Sequence, residues 1–179
     1  FGGVLTREQF LPHEMRIVAA LRMQGASDEQ VIVRVKSENL FQYPTERMVA
    51  NRATVCLRRL DAMVPTDAVC AARGIDPKTA VEAASSLTGL MASGAPTQAD
   101  QAIFYSMICR YDIVRELVLV EVGERLQNFD YAFTAVDLNA FMTRFTTEYP
   151  DAARWTEATV KRIKGSLRQT LRHAGLIGE

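Results

Sequence analysis

Lys161, Lys164, Arg168 and Arg172 follow one another at spacings of three and four residues, the spacing of neighbours on one side of an α-helix. At about 100° per residue they fall within about 80° of the helix circumference. The apolar residues Val160, Ile163, Leu167, Leu171 and Ala174 cluster to one side of them, so the basic stripe runs beside the face that would be buried. No Asp or Glu lies between Glu157 and Glu179 to neutralise it. Such a row of cations can follow a phosphate backbone or lie in a nucleic-acid groove. It is equally a solvated helix face whose cations suit the C-terminal end of the helix dipole. Both readings stand on these residues alone.

A second group lies earlier. Arg47, Asn51 and Arg58 fall within about 40° of one another on a helix, with Arg52 and Arg59 farther round. Arg and Asn are the side chains suited to base edges. A helix predicted just before this one makes the pair resemble a loose helix-turn-helix. The connection Glu38–Pro44 is longer than the usual three or four residues, which favours a plain amphipathic helix with a charged outer face. The aromatics Phe41, Tyr43, Phe129, Tyr131 and Phe133 sit in or near loops. They could stack on bases or anchor those loops to the core.

Other chemistry finds little support. His13 and His173 stand at opposite ends of the chain. Cys56, Cys70 and Cys109 are odd in number and form no CxxC pair. A zinc site needs about four ligands, so no metal and no cofactor are expected. Buried, reduced thiols are the simpler reading and point to the cytoplasm. Asp112, Glu116 and Glu121 fall on an apolar helix and read as surface carboxylates rather than a catalytic pair. Phosphate-binding glycine loops, the nucleophile elbow and the HExxH zinc motif are all missing. The chain is therefore expected not to be an enzyme.

Of the 179 residues, 48% are hydrophobic and 23% charged. That balance fits a globular chain and argues against disorder. The longest apolar runs, such as Ile17–Leu21, fall far short of the ~20 residues that span a bilayer, so no membrane partner is expected. The chain begins at Phe1 rather than Met, so its ends read as trimmed and a targeting signal stays an open question. The net charge is zero but unevenly spread. Residues 1–65 carry nine cations and seven acids, residues 66–150 six and eleven, and residues 151–179 six and three. A neutral total does not exclude nucleic acid, because binding depends on a local basic face.

Helix signals recur along the chain and strand signals are scarce. Pro12 opens a helix stopped by Gly25. Ser27 caps a second, Asp28 to Ser37, and Pro44-Thr45 opens a third, Glu46 to Met63. On the third, Val49, Ala53, Cys56 and Leu60 form one face to be buried. Thr66 caps a short fourth helix ending at Gly74, and Asp76-Pro77 begins a fifth ending near Gly94. The stretch from Ile103 to Leu126 is the most hydrophobic and is expected to be the central core element, with a break near Arg110-Tyr111-Asp112. Ile113, Leu117 and Val120 are expected on its buried side. Thr134 and Asp137 fit a capping box for a helix to Glu148. A short turn follows Pro150, and Thr156 caps the last helix, to about Ala174. These signals predict an all-α, compact multi-helix bundle, with an N-terminal helical subdomain over 1–65 and a C-terminal helical domain over 66–179. Its parts resemble a helix-turn-helix and, at Gly175-Leu176-Ile177, the approach to the wing of a winged helix.

An ordered set of segments resembles a known family. It begins with Phe1-Gly2-Gly3-Val4-Leu5 and Glu14-Met15-Arg16-Ile17-Val18-Ala19, and continues with Val35-Lys36-Ser37-Glu38-Asn39-Leu40-Phe41-Gln42 and Leu57-Arg58-Arg59-Leu60. Met107-Ile108-Cys109-Arg110-Tyr111 and Val122-Gly123-Glu124-Arg125-Leu126 follow. The set closes with Trp155-Thr156-Glu157-Ala158-Thr159-Val160-Lys161 and Leu171-Arg172-His173-Ala174-Gly175-Leu176-Ile177. Together these look like the BrxA family of BREX bacteriophage-exclusion systems. The resemblance covers about two-thirds of the chain. Residues 67–97 stand apart and read as an insertion.

The resemblance implies an all-helical protein similar in fold to the RNA-binding antitermination factor NusB. It also implies a non-catalytic role in antiviral defence, with double-stranded DNA and other BREX proteins as partners. An RNA-binding regulator and a protein–protein adaptor are the rival readings. The sequence sets no oligomeric state.

Overall fold

A computed structural model describes residues 3–130 and 132–177. Phe1 and Gly2 of the opening motif, and Tyr131 among the loop aromatics, lie outside them. Among the described residues the fold is all-α, with no strand. The chain divides into two compact units, Leu11–Ser106 and a discontinuous one of Phe1–Phe10 with Met107–Glu179.

The Leu11–Ser106 unit holds α1 (Pro12–Met23), α2 (Asp28–Ser37), α3 (Glu46–Ala62), α4 (Asp67–Arg73), α5 (Pro77–Ser93) and most of α6 (Pro96–Arg110). Polar caps set the starts of these helices. The side chains of Ser27, Thr45, Thr66 and Asp76 each accept a hydrogen bond from the backbone N–H three residues on, satisfying a donor that a helix start leaves free. α1 lies against α5 and α3, and α2 against α3. Their apolar stripes meet in a core of Met15, Val18, Val31, Val35, Val49, Ala53, Cys56, Leu60 and Met91. The sequence boundary at 65/66 falls inside this unit. The reason is the packing of α1 on α5, a pairing between distant segments that local periodicity does not reveal.

The second unit is built from both ends of the described chain. Its later part holds the end of α6, then α7 (Asp112–Glu116), a π-helical stretch Leu117–Val122, α8 (Gly123–Gln127), α9 (Ala135–Glu148), α10 (Pro150–Ala153) and α11 (Glu157–His173). The expected break after Arg110 is present, at Tyr111, whose extended backbone separates α6 from α7. On α9, Leu138, Phe141, Met142 and Phe145 are buried, and Phe145 stacks with Tyr149 at 4.4 Å and with Trp155 at 6.1 Å. A short 3-10 turn, Gly3–Thr6, packs against α11. Ser166 Oγ donates to the Leu5 carbonyl at 2.8 Å, Phe10 stacks on His173 at 4.4 Å, and the Tyr111 hydroxyl donates to Glu8.

One core expectation needs correction. Ile113 and Leu117 are fully buried, but Val120 is only half-buried. The π-helical stretch explains the change. Its hydrogen bonds close from i to i+5, so the residue that returns to the buried side after Leu117 is Val122.

Candidate nucleic-acid interface

α11 is positioned by its own amphipathicity. Thr156 caps its start, accepting from the Thr159 N–H at 3.2 Å, and Glu157 lies in the first turn, where a negative charge suits the dipole. Ile163, Ser166, Leu167, Thr170 and Leu171 are buried. The helix ends at Gly175, whose φ is +72°. There the Gly175 N–H donates to the Arg172 carbonyl and the Leu176 N–H to the Leu171 carbonyl, each at 2.9 Å. This pair of bonds is the ordinary glycine C-cap. Gly175-Leu176 thus closes a helix, and no strand of a wing occurs among the described residues.

Burying that face turns the cations outward. Lys161, Arg168 and Arg172 are exposed, and none has an ionic partner among the described residues. Lys164 differs. It is half-buried, and its Nζ donates to Asn139 Oδ1 on α9 at 2.9 Å. The stripe is therefore three free side chains and one tethered one. The sequence reading missed Arg162, which is also exposed and without an ionic partner among the described residues. It lies about 100° from Lys161, outside the narrow stripe but inside the wide arc that α11 leaves uncovered. Charge on that arc, rather than alignment, was the signal that would have found it.

The ground beside the stripe is concave. A cleft of about 260 Å³ is lined by Arg168 and Leu171 of α11, Phe133, Thr134, Ala135 and Leu138 at the start of α9, and Ile177. Nearby acid is already engaged. Asp137 accepts from the Thr134 N–H at 2.7 Å and from its hydroxyl at 2.6 Å, and pairs with Arg125 at 2.5 Å. The Thr134 bonds, with the Arg125 charge behind them, hold its carboxyl below the usual range.

The second candidate face lies in the other unit. Arg47, Asn51 and Arg58 are exposed together on α3. Arg52 is half-buried and Arg59 fully buried, so Arg59, farther round the helix than the exposed face, belongs to the core. Residues 38–45 join α2 to α3 through positive φ at Asn39 and Gln42. Asn39 clamps this loop from its side chain, donating to the Tyr43 carbonyl at 3.0 Å and accepting from the Tyr43 N–H at 3.1 Å. Phe41 is buried and the Tyr43 hydroxyl donates to buried Glu14. These two aromatics therefore anchor the loop. Phe129 does not, being 79% exposed with φ +58°. Phe133 is half-buried against the Arg125 guanidinium.

The apolar-helix carboxylates hold structural roles. Glu116 accepts from Tyr149 at 3.1 Å, Glu121 pairs with Arg144 at 2.7 Å, and Asp112 pairs with Arg115. Cys56 and Cys70 are buried and Cys109 is half-buried. Among the described residues no helix is long and apolar enough to cross a membrane.

No curated protein matches the chain. A family model does, the one described as BrxA, and it runs over residues 1–179, through the 67–97 stretch that the sequence segments left apart. With a match over its whole length and an all-helical fold, the chain belongs to the BrxA family and is thereby associated with BREX systems.

Proposed function

We propose that this protein binds double-stranded DNA without acting on it chemically, as a component of a BREX defence assembly, and that the exposed face of α11 makes the phosphate contacts. The observation that carries the reading is a set of exposed cations, Lys161, Arg162, Arg168 and Arg172, with no acid set against them among the described residues. An uncompensated row of this kind is attracted to a polyanion and releases its condensed counterions. Such contacts position a protein on a duplex and carry little sequence information. Arg47, Asn51 and Arg58 on α3 offer the side chains for base edges.

The test is duplex binding at several salt concentrations. Replacing Arg168 and Arg172 together by Ala should weaken binding to all duplex sequences alike. It should also reduce the slope of log K against log salt by about two units, one per lost phosphate contact. An unchanged affinity and slope in the folded double variant overturns the assignment to α11.

A second reading is recognition of unpaired RNA, for which exposed Phe129 supplies a stacking surface. Competition between duplex DNA and single-stranded RNA separates the two.

A further inference from the structure

Gly165 lies in the middle of α11, at the centre of its exposed side. A glycine there weakens a helix relative to alanine. Such a residue needs a reason, and the usual ones are missing. Its φ is not in the left-handed region, and a Cβ built on it meets nothing within 4 Å. By contrast Gly89, inside α5, faces the Met23 side chain at 3.7 Å. Nothing among the described residues presses on Gly165.

The neighbours of Gly165 on the helix surface are the residues three and four positions away. These are Lys161, Arg162, Arg168 and Gln169. All four are exposed, and none has a partner among the described residues. A patch of bare backbone is thus ringed by three cations and one amide. Their Cβ atoms stand about 5–6 Å from the central position, well within the reach of long side chains. They can fold inward over the glycine.

We propose that Gly165 is a phosphate seat. The missing side chain lets one phosphate of the duplex backbone come into contact with the α11 main chain, while Lys161, Arg162 and Arg168 close around it and Gln169 donates to it. Glycine is suited to close approach between a backbone and a ligand. The proposal rests on the reading of α11 as the DNA-contacting helix and adds a point of contact to it. It also gives Arg162 and Gln169 a role that a simple charge stripe leaves out.

The seat predicts an inversion of the usual link between stability and function. Gly165→Ala and Gly165→Gln put a side chain into open space and improve helix propensity, so both variants should fold and melt at a temperature equal to or above that of the parent. Binding to a mixed-sequence duplex should nonetheless fall, several-fold for Gly165→Ala and tenfold or more for Gly165→Gln. Gly165→Lys adds a cation at the same point. A diffuse basic surface would bind tighter with it, whereas an occupied seat binds no tighter. Unchanged affinity in Gly165→Gln, or tighter binding in Gly165→Lys, overturns the seat. The Arg168→Ala/Arg172→Ala variant run alongside tells the two ideas apart. If it loses affinity while Gly165→Gln does not, α11 binds DNA without a seat; if neither variant changes the affinity of a parent that binds, α11 is not the contact and both ideas fall.

Discussion

Tyr43 ties a loop to the core by one part-buried side-chain hydrogen bond. Its hydroxyl donates to Glu14, which is itself buried. Burial first, then the bond and charge of Glu14, push the Tyr43 phenol up from 10.0 to about 12. A pKa raised on folding means that the folded state holds the proton more tightly than the unfolded one. The stabilisation is therefore complete below about pH 10 and is lost as pH rises towards 12. Tyr43→Phe should remove this alkaline component, followed by circular dichroism across that range. At neutral pH it should cost about 1–3 kcal/mol, because Glu14 keeps its burial and loses its donor. An alkaline unfolding curve identical to that of the parent would refute the assignment. The sequence offered Tyr43 as a base-stacking residue or an anchor. Only Glu14, separated from it by most of two helices, decides for the anchor.

Helix boundaries were legible because they are written in local chemistry. Ser27, Thr45, Thr66 and Thr156 were each read as the residue opening a helix, and each caps one. Phase within the central apolar stretch was not legible. From Ile113 to Val122 apolar residues occupy nearly every side, so the pattern holds no marker of where a turn widens. π-helix is rare enough that an α-helical period is the natural assumption. The two geometries give different costs for substitution. Leu117→Ala should destabilise by about 2–5 kcal/mol, since the side chain is fully buried. Val120→Ala should cost no more than about 1 kcal/mol, because that side chain is half exposed. Equal losses at the two positions, measured by denaturant unfolding, would restore the α-helical register. The α11 face was legible for a related reason. Buried and charged residues segregate cleanly there, and only Arg162 at the far edge and the tether of Lys164 to Asn139 escaped the pattern.

Across the whole molecule, the least legible feature is the joining of distant segments. Ser166 and Leu5 share a hydrogen bond across 161 positions, and no periodicity announces such a partner. Leu5 and Phe10 are both buried within the unit that contains α11. Each contributes about 1.5–3 kcal/mol by leaving water. A chain lacking residues 1–10 should keep its Leu11–Ser106 unit and lose protection of α11. Trypsin offered to both forms reads this directly, through cleavage after Lys161, Arg162, Arg168 or Arg172. Equal resistance of the two forms would mean that the N-terminal segment adds nothing to the fold.

The discontinuous unit also sets an order of events during synthesis. Residues 11–106 are contiguous and can form their core as soon as they have emerged, since domains fold as units from the N-terminal side. Leu5 and Phe10 must wait. The surface that receives Leu5 and Phe10 includes α11, so it is absent until the chain has been made to about His173. A product that terminates early therefore carries one finished unit and lacks the α11 face. Under the proposed function, interrupted translation yields a chain without its phosphate-contacting helix, which competes poorly with the longer chain for DNA.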